Sequence, residues 1–239
     1  FHQGALNFIL SLLSEVLQNQ LLAELDPGFL KRFNRVRITD STKFNIPKAL
    51  KELFRGFNGR SIASAGVSIQ YEFDIKKGEI INLDLFGATK SDSKYAEEIA
   101  ASVRANDLVI RDLGYYSSDN LKKIHSQGAY FLSRLHAKAD AYTENDGKFT
   151  KVCFATLYKE MSEKKLTEQE LSVYIGKNKL LPVRLIVNLM PEDIYVKRLQ
   201  KIERYNKANG HQTSKEIKDR LKLNLFVTNI ETDKMSAAD

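Results

Sequence analysis

The fold is decided by the segment Asp107–Leu135, which reads DLVIRDLGYYSSDNLKKIHSQGAYFLSRL. Its apolar run Leu108–Ile110 is typical of a buried strand. A helix that begins at Ser117 or Ser118 follows, and a second strand completes the segment. Side chains that follow the carboxyl end of a central strand often meet ligands. Asp112 holds that position, where it could bind a ligand or simply cap the turn.

A second stretch of the same build is Arg35–Pro47, RVRITDSTKFNIP. Val36 and Ile38 alternate with polar residues, which predicts a strand that ends at Asp40 in a polar Ser-Thr turn. Two strands that each end in Asp can place two carboxylates side by side, and such a pair repels unless a cation lies between them. Mg²⁺ prefers oxygen ligands, and two ions about 3.5–4 Å apart suit in-line phosphoryl displacement.

The remaining pattern predicts an α/β protein. Alternating residues predict a hairpin over Val67–Phe86, and Ser93–Arg104 has helical spacing. Ala5–Leu25 is predicted to be an amphipathic helix packed on the core. Its polar breaks exclude a signal peptide and a membrane span.

The region from His136 to Lys222 differs from the preceding region in the order of its predicted strands and helices. Strands are predicted at Thr150–Tyr158, Leu171–Ile175 and Leu181–Leu189, and a charged helix follows Pro191. Strands that follow one another without helices between them favour a separate antiparallel sheet.

Charge and cysteine content narrow the class of protein. The 239 residues carry a net charge of +7, which favours a polyanionic partner such as nucleic acid. The single cysteine, Cys153, is predicted to be a buried core thiol in a strand, and it excludes a disulfide framework. The four histidines are scattered and show no metal-ligand spacing.

Four blocks in order carry a resemblance to a known family. They are VRITDSTKFNIP, LVIRDLGYYSSDNL, GAYFLSRL and LNLFVTNI, the last at Leu223–Ile230. Together they resemble the DDE-type transposases of bacterial insertion sequences, in the family named after insertion sequence four. The match spans roughly residues 30–232.

The resemblance implies a domain plan. It implies a ribonuclease H-like mixed-sheet core at residues 35–135, which also fits the order of predicted elements. Residues 136–222 would form a β-rich insertion with charged helices, and residues 223–239 the return strand of the core. Residues 1–34 would be an N-terminal helical segment.

The resemblance also implies a chemistry. Asp40 and Asp112 would be catalytic residues and ligands of Mg²⁺ or Mn²⁺. These ions would activate water to nick DNA and then the freed 3′-hydroxyl to attack target DNA, without a covalent protein intermediate. The partners would be double-stranded DNA, at transposon ends and target, and a second copy in a synaptic homodimer. A cytoplasmic protein without membrane contact is expected.

Other residues are predicted to contact DNA or to line the site. The DNA-binding candidates are Lys43, Arg134, Lys197, Arg198, Lys201 and Arg204. The site-lining candidates are Thr42, Tyr115 and Asn229. The cations after Pro191 could equally form an ordinary solvated helix face, and Tyr115 could equally pack against the sheet.

The third acidic residue of the family is a Glu on a helix after the Thr-Asn strand. Only ten residues follow Asn229, and none lies in the family's signature, so the chain is expected to be truncated or a fragment. Two other functions stay open. One is a catalytically inactive remnant that binds DNA or co-assembles with a full-length copy. The other is a metal-dependent phosphohydrolase on a doubly wound sheet, although the Asp-Ser-Thr at residues 40–42 lacks the Asp-x-Asp form such enzymes use.

Overall fold

The computed structural model describes residues 31–57, 64–176, 178 and 181–236, with six further positions before residue 31. The chain divides into two compact units, Phe1–Leu132 and Ser133–Asp239, called unit 1 and unit 2. The predicted helix Ala5–Leu25 lies outside the continuously described residues. No helix in the described part of the chain is long and apolar enough to cross a membrane.

Unit 1 is a mixed sheet with helices. Its strands are β1 (Val36–Ile46), β2 (Ala65–Asp74), β3 (Glu79–Gly87), β4 (Leu108–Arg111) and the start of β5 (Tyr130–Arg134). Its helices are α1 (Asp92–Ile99) and α2 (Ser118–Ser126), with 3₁₀ turns at Lys48–Leu50, Ala100–Ser102 and Leu113–Tyr115. The strand order is β3-β2-β1-β4-β5. β1 pairs antiparallel with β2 and parallel with β4, and β2 pairs antiparallel with β3, which confirms the predicted mixed α/β class.

Helix α2 follows the pattern read in the sequence. The Ser117 hydroxyl accepts a hydrogen bond from the backbone N–H of Asn120, which caps the first turn. Leu121 and Ile124 are buried on one face. Gly128 closes the helix region at φ 71°, a left-handed conformation that glycine adopts at low cost.

In the middle of β2 and β3 the polar face is buried more deeply than the apolar face, although Val67 and Phe73 on the apolar face of β2 are also buried. On β2 the polar side chains Gln70 and Glu72 are fully buried, whereas Ile69 and Tyr71 on the opposite face are partly exposed. Their apolar neighbours on β3, Leu83 and Leu85, are 40% and 53% exposed. The buried polar face contacts α1, since the Asp92 carboxylate accepts a hydrogen bond from Gln70.

Unit 2 contains an antiparallel sheet. Its strands are β6 (Ala141–Asn145), β7 (Lys148–Lys151), β8 (Glu168–Ile175), β9 (Leu181–Leu189) and β10 (Leu223–Thr228), in the order β10-β9-β8-β6-β7. Each described pair among these strands is antiparallel. Its helices are α3 (Phe154–Glu163), α4 (Glu192–Asn209) and α5 (Lys215–Arg220). The antiparallel pairing disfavours the doubly wound sheet of a phosphohydrolase.

The predicted strand Thr150–Tyr158 is wrong beyond Lys151, because the chain turns there into α3. The strand prediction followed the short apolar run Val152-Cys153-Phe154, whereas Phe154, Leu157 and Met161 are buried at helical spacings of three and four residues. Cys153 is therefore not a buried strand residue. It is exposed and precedes the first residue of α3.

We expect Cys153 to react fully with a thiol reagent in the folded protein. A hydrogen bond from the Thr156 side chain lowers the pKa of the Cys153 thiol, so its thiolate forms at lower pH than in a free cysteine. The check is the rate of reaction with a chromogenic disulfide across pH 6–9, with and without urea. A thiol that reacts only after unfolding would contradict this placement.

Candidate metal centre

The pairing of β1 with β4 places Asp40 and Asp112 side by side. Thr39 lies opposite Arg111 in this parallel pair. Asp40 is the next residue on β1, and Asp112 directly follows the last residue of β4. Asp112 keeps an extended backbone, with φ −69° and ψ 166°, so the alternation of side chains continues through it. Neighbouring strands lie about 4.8 Å apart. The two carboxylates therefore share one face of the sheet, at one level.

Both carboxylates are accessible. Asp40 and Asp112 are exposed, and the Asp112 side chain does not cap the 3₁₀ turn that follows it. Asp40 is oriented by the backbone N–H of Ser41, which donates to Asp40 Oδ1 at 2.8 Å. Partial burial and then the charge of Asp40 raise the pKa of Tyr71, which lies opposite Asp40 on β2. The hydroxyl of Tyr71 therefore stays protonated and able to donate to Asp40.

The predicted end of the first strand at Asp40 is wrong. β1 continues to Ile46, because residues 41–46 pair with residues 65–70 of β2. Only the first four residues of β1 pair with β4. At Asp40 the pairing of β1 with β4 has therefore ended, whereas its pairing with β2 continues. The Ser-Thr pair suggested a turn, but Thr is also a strand former.

The donor set of this pair fits a hard divalent cation. Two exposed carboxylates on one sheet face offer oxygen ligands of the kind that Mg²⁺ and Mn²⁺ bind. Within the described ranges, no group of three or more His, Cys, Asp or Glu side chains is placed to hold a metal ion. At this position the described residues therefore offer two carboxylates to an ion.

A buried network of charges lies on the opposite face of the same strands. The Arg37 guanidinium, 0% exposed, contacts Glu72 at 2.5 Å and Asp107 at 3.5 Å. Arg111, directly before Asp112, lies 3.7 Å from Glu72, and Arg35 lies 2.5 Å from Asp107. Burial lowers the pKa of the Arg111 guanidinium, while Glu72 acts in the opposite direction. The network joins β1, β2 and β4 directly beneath the carboxylate pair.

Glu72 has further partners that complete its hydrogen bonding. It accepts from the Thr39 hydroxyl at 3.2 Å and from the Asn82 side-chain amide at 2.8 Å. The network was not predicted from the sequence, because charged residues at every second strand position usually indicate a solvated face. The usable signal was charge complementarity, with arginines on β1 and a glutamate on β2.

Two predicted residues, Lys43 and Tyr115, belong to a polar cluster around Asp92. The Lys43 ammonium lies 3.1 Å from Asp92 Oδ1, so its charge is already paired. Tyr115 is 3% exposed and packs with Tyr95, and its hydroxyl donates to Gln70 at 2.6 Å. Burial raises the pKa of this hydroxyl. Tyr115 thus packs against the sheet, whereas Thr42 is exposed on the face that carries Asp40.

The other predicted residues lie in unit 2. Arg198 on α4 donates to the Asn224 side chain at 3.1 Å. Burial and then the positive charge of Arg134 lower the pKa of Arg198, so these two cations are close together. Lys197 pairs with Asp193 at 3.5 Å. The remaining candidates are Lys201 and Arg204, which are exposed on α4, and Asn229, which is half-buried after β10.

Comparison with known proteins identifies relatives over most of the chain. The transposase for insertion sequence element IS231E of Bacillus thuringiensis subsp. finitimus is 29% identical over 244 residues, covering 96% of this chain and 51% of that protein. The transposase for insertion sequence element IS1151 of Clostridium perfringens is 28% identical, covering 90% of this chain and 48% of that protein. The chain spans about half the length of the curated relatives it matches.

One solved structure and one family model also match. The cryo-EM structure of a piggyBac transposase synaptic complex with hairpin DNA aligns with 83% of this chain and 34% of its own, at a TM-score of 0.41 and 10% identity. The family model described as "Transposase DDE domain" matches residues 31–239. Because that match covers well over half of its length, the chain belongs to the family of transposase DDE domains.

Proposed function

We propose that this chain is the catalytic core of a DNA transposase, which cleaves DNA strands and transfers them to a target during movement of an insertion sequence. The observation that carries the proposal is the β1–β4 register, which aligns Asp40 with Asp112 on one sheet face. Membership of the DDE-domain family and the transposase relatives support it.

A DDE domain generally implies a divalent metal ion, and Asp40 with Asp112 would hold it here as Mg²⁺ or Mn²⁺. A bound ion of this kind polarises phosphoryl oxygens and neutralises the charge that develops on them. The protein contributes position: Ser41 orients Asp40 through its backbone N–H, and the buried Glu72 network holds the two strands in register. Catalysis of phosphoryl transfer depends mainly on such positioning and electrostatic stabilisation.

Double-stranded DNA, both transposon ends and target, is the proposed partner, and a homodimer in a synaptic complex is the proposed assembly. The net charge of +7 supports a polyanionic ligand. In unit 2, Arg134, Arg198, Lys201 and Arg204 are the proposed phosphate contacts. Lys197 is a weaker candidate, because Asp193 neutralises part of its charge.

A second candidate is a DNA-binding protein that does not cleave. The observation that favours it is the pair of carboxylates without a third ligand among the described residues. Holding a second ion in a fixed geometry requires more oxygen ligands than two side chains supply. DNA affinity, in contrast, depends on lysine and arginine contacts to phosphates.

We expect the chain to bind duplex DNA in a salt-dependent manner, as both candidates require. The catalytic core should also nick DNA when Mg²⁺ or Mn²⁺ is present, whereas the second candidate should not. The measurements are a gel-shift assay at 50 and 200 mM salt and a supercoiled-plasmid nicking assay with Mg²⁺ or Mn²⁺. Robust nicking that Asp112→Asn abolishes would establish the catalytic core and eliminate the second candidate. Absence of DNA binding at low salt would contradict both.

A further inference from the structure

A cleft of about 450 Å³ opens in unit 1 at the end of β3. It is called the β3-end cleft below. Its charged lining consists of three cations, Arg55, Lys90 and Lys94, and one acid, Glu52. The lining therefore carries an excess of two positive charges. None of these residues was singled out in the sequence.

Two of the cations have charges available for a ligand. Arg55 and Lys94 are exposed, and among the ion pairs of the described residues neither side chain takes part. Lys90 differs, because its ammonium lies 2.6 Å from Glu98 and 4.0 Å above the centre of the Phe86 ring. Arg55 and Lys94 thus supply the charge, while Lys90 and Phe86 form a wall of the cleft.

The backbone around Arg55 is held by the sheet. Arg55 forms an isolated bridge with Ala65, and the backbone of Gly87 passes so close that a Cβ there would lie 2.9 Å from the Arg55 nitrogen. The N–H of Ala88 donates to the Gly66 carbonyl at 2.8 Å. Because its backbone is anchored in this way, the Arg55 side chain starts from a fixed point on the sheet, and this lowers the backbone part of the entropic cost of binding.

The strand register gives the separation of the cleft from the carboxylate pair. Gly87 at the end of β3 lies opposite Val67, and Val67 lies opposite Phe44 on β1. Phe44 is four residues beyond Asp40, which corresponds to about 13 Å along the strand. Because β3 lies two strands from β1, about 10 Å across the sheet is added, so the cleft is about 16 Å from Asp40. The Phe86 wall packs against Tyr95 of α1, so the cleft opens on the sheet face opposite to the carboxylate pair.

We propose that the β3-end cleft binds the phosphate backbone of DNA, at a position separate from the phosphodiester that would react at Asp40 and Asp112. This inference rests on the proposed function for the DNA ligand. Arg55 and Lys94 contact phosphate oxygens, and these contacts set the register of the strand without reading its sequence. The cleft accepts a polyanion because its available charges are positive and its rim is open to solvent.

The test is the salt dependence of DNA binding by the double variant Arg55→Gln/Lys94→Gln, measured by fluorescence anisotropy with a labelled duplex. The matched control is Lys122→Gln/Lys123→Gln, which removes the same charge from exposed positions on α2 of the same unit. Each lost phosphate contact reduces the slope of log K against log salt by about 0.9. We expect a reduction of about 2 in the cleft variant, at least about ten-fold weaker binding at 0.1 M salt, and little change in the control.

Each outcome is decisive. Equal slopes and affinities for the cleft variant and the control would overturn the cleft assignment, provided that wild-type protein binds. If wild-type protein itself does not bind duplex DNA, the proposed function fails first. Thermal melting identifies a misfolded double variant, and the single variants Arg55→Gln and Lys94→Gln then decide, with an expected slope change of about 1 each.

Discussion

Glu72→Ala is expected to reduce the free energy of unfolding by about 3–5 kcal/mol, because removing one partner of a buried ion pair leaves the other charge uncompensated. Glu72 is 0% exposed and lies between Arg37 and Arg111, which are themselves 0% and 9% exposed. The Thr39 hydroxyl and the Asn82 amide lose an acceptor at the same time. Urea unfolding followed by circular dichroism measures the change.

The controls for this prediction separate charge from shape. Glu79→Ala removes an exposed carboxylate from β3 and should change stability by about 0.5 kcal/mol or less. Glu72→Gln keeps the size of the side chain and its hydrogen-bonding oxygen, so its cost should lie between those of the two alanine variants. A Glu72→Ala protein as stable as the Glu79→Ala protein would show that the network does not hold the strands together.

Asp112→Asn is expected to abolish detectable Mn²⁺ binding at millimolar concentrations. Even second-sphere changes at metal sites typically reduce affinity about 10–100-fold, and here one of two carboxylate ligands is lost. Without metal, the same substitution should leave thermal stability unchanged or higher, because it removes a like-charge pair on one sheet face. Isothermal titration with MnCl₂ and thermal melting with and without metal measure the two effects.

Asp40→Asn should behave in the same way, since the register makes the two positions equivalent neighbours. Asp119→Asn is the control, because Asp119 is an exposed carboxylate in the first turn of α2. Mn²⁺ binding that survives in both Asp40→Asn and Asp112→Asn but not in another acidic variant would place the metal site elsewhere. In that case the catalytic assignment of the pair would be wrong.

Several elements were predictable from local sequence. Helix α2 has a serine cap, an apolar face with Leu121 and Ile124, and a closing glycine. These three signals lie within or next to the helix itself, so the local sequence was enough to predict it. Strand β9 is a mostly apolar run, interrupted by Arg184 and Asn188, and its predicted bounds are those observed. The helix at residues 154–163 was missed, because the short apolar run at residues 152–154 favoured a strand and outweighed the helical spacing of the apolar residues after it.

The sequence by itself determined the α/β class, the family blocks and the two aspartates that follow buried strand segments, because short-range hydrophobic periodicity and residue order carry that information. Tertiary structure alone decided that β1 continues past Asp40 and that Asp40 and Asp112 are level, because strand register depends on pairing between residues far apart in the chain. It also decided which face of the strands is covered. Alternation of polar and apolar residues is the same whichever face packs inward, and here α1 covers the polar face. Arg37 and Glu72 are therefore buried together, while Leu83 and Leu85 remain exposed.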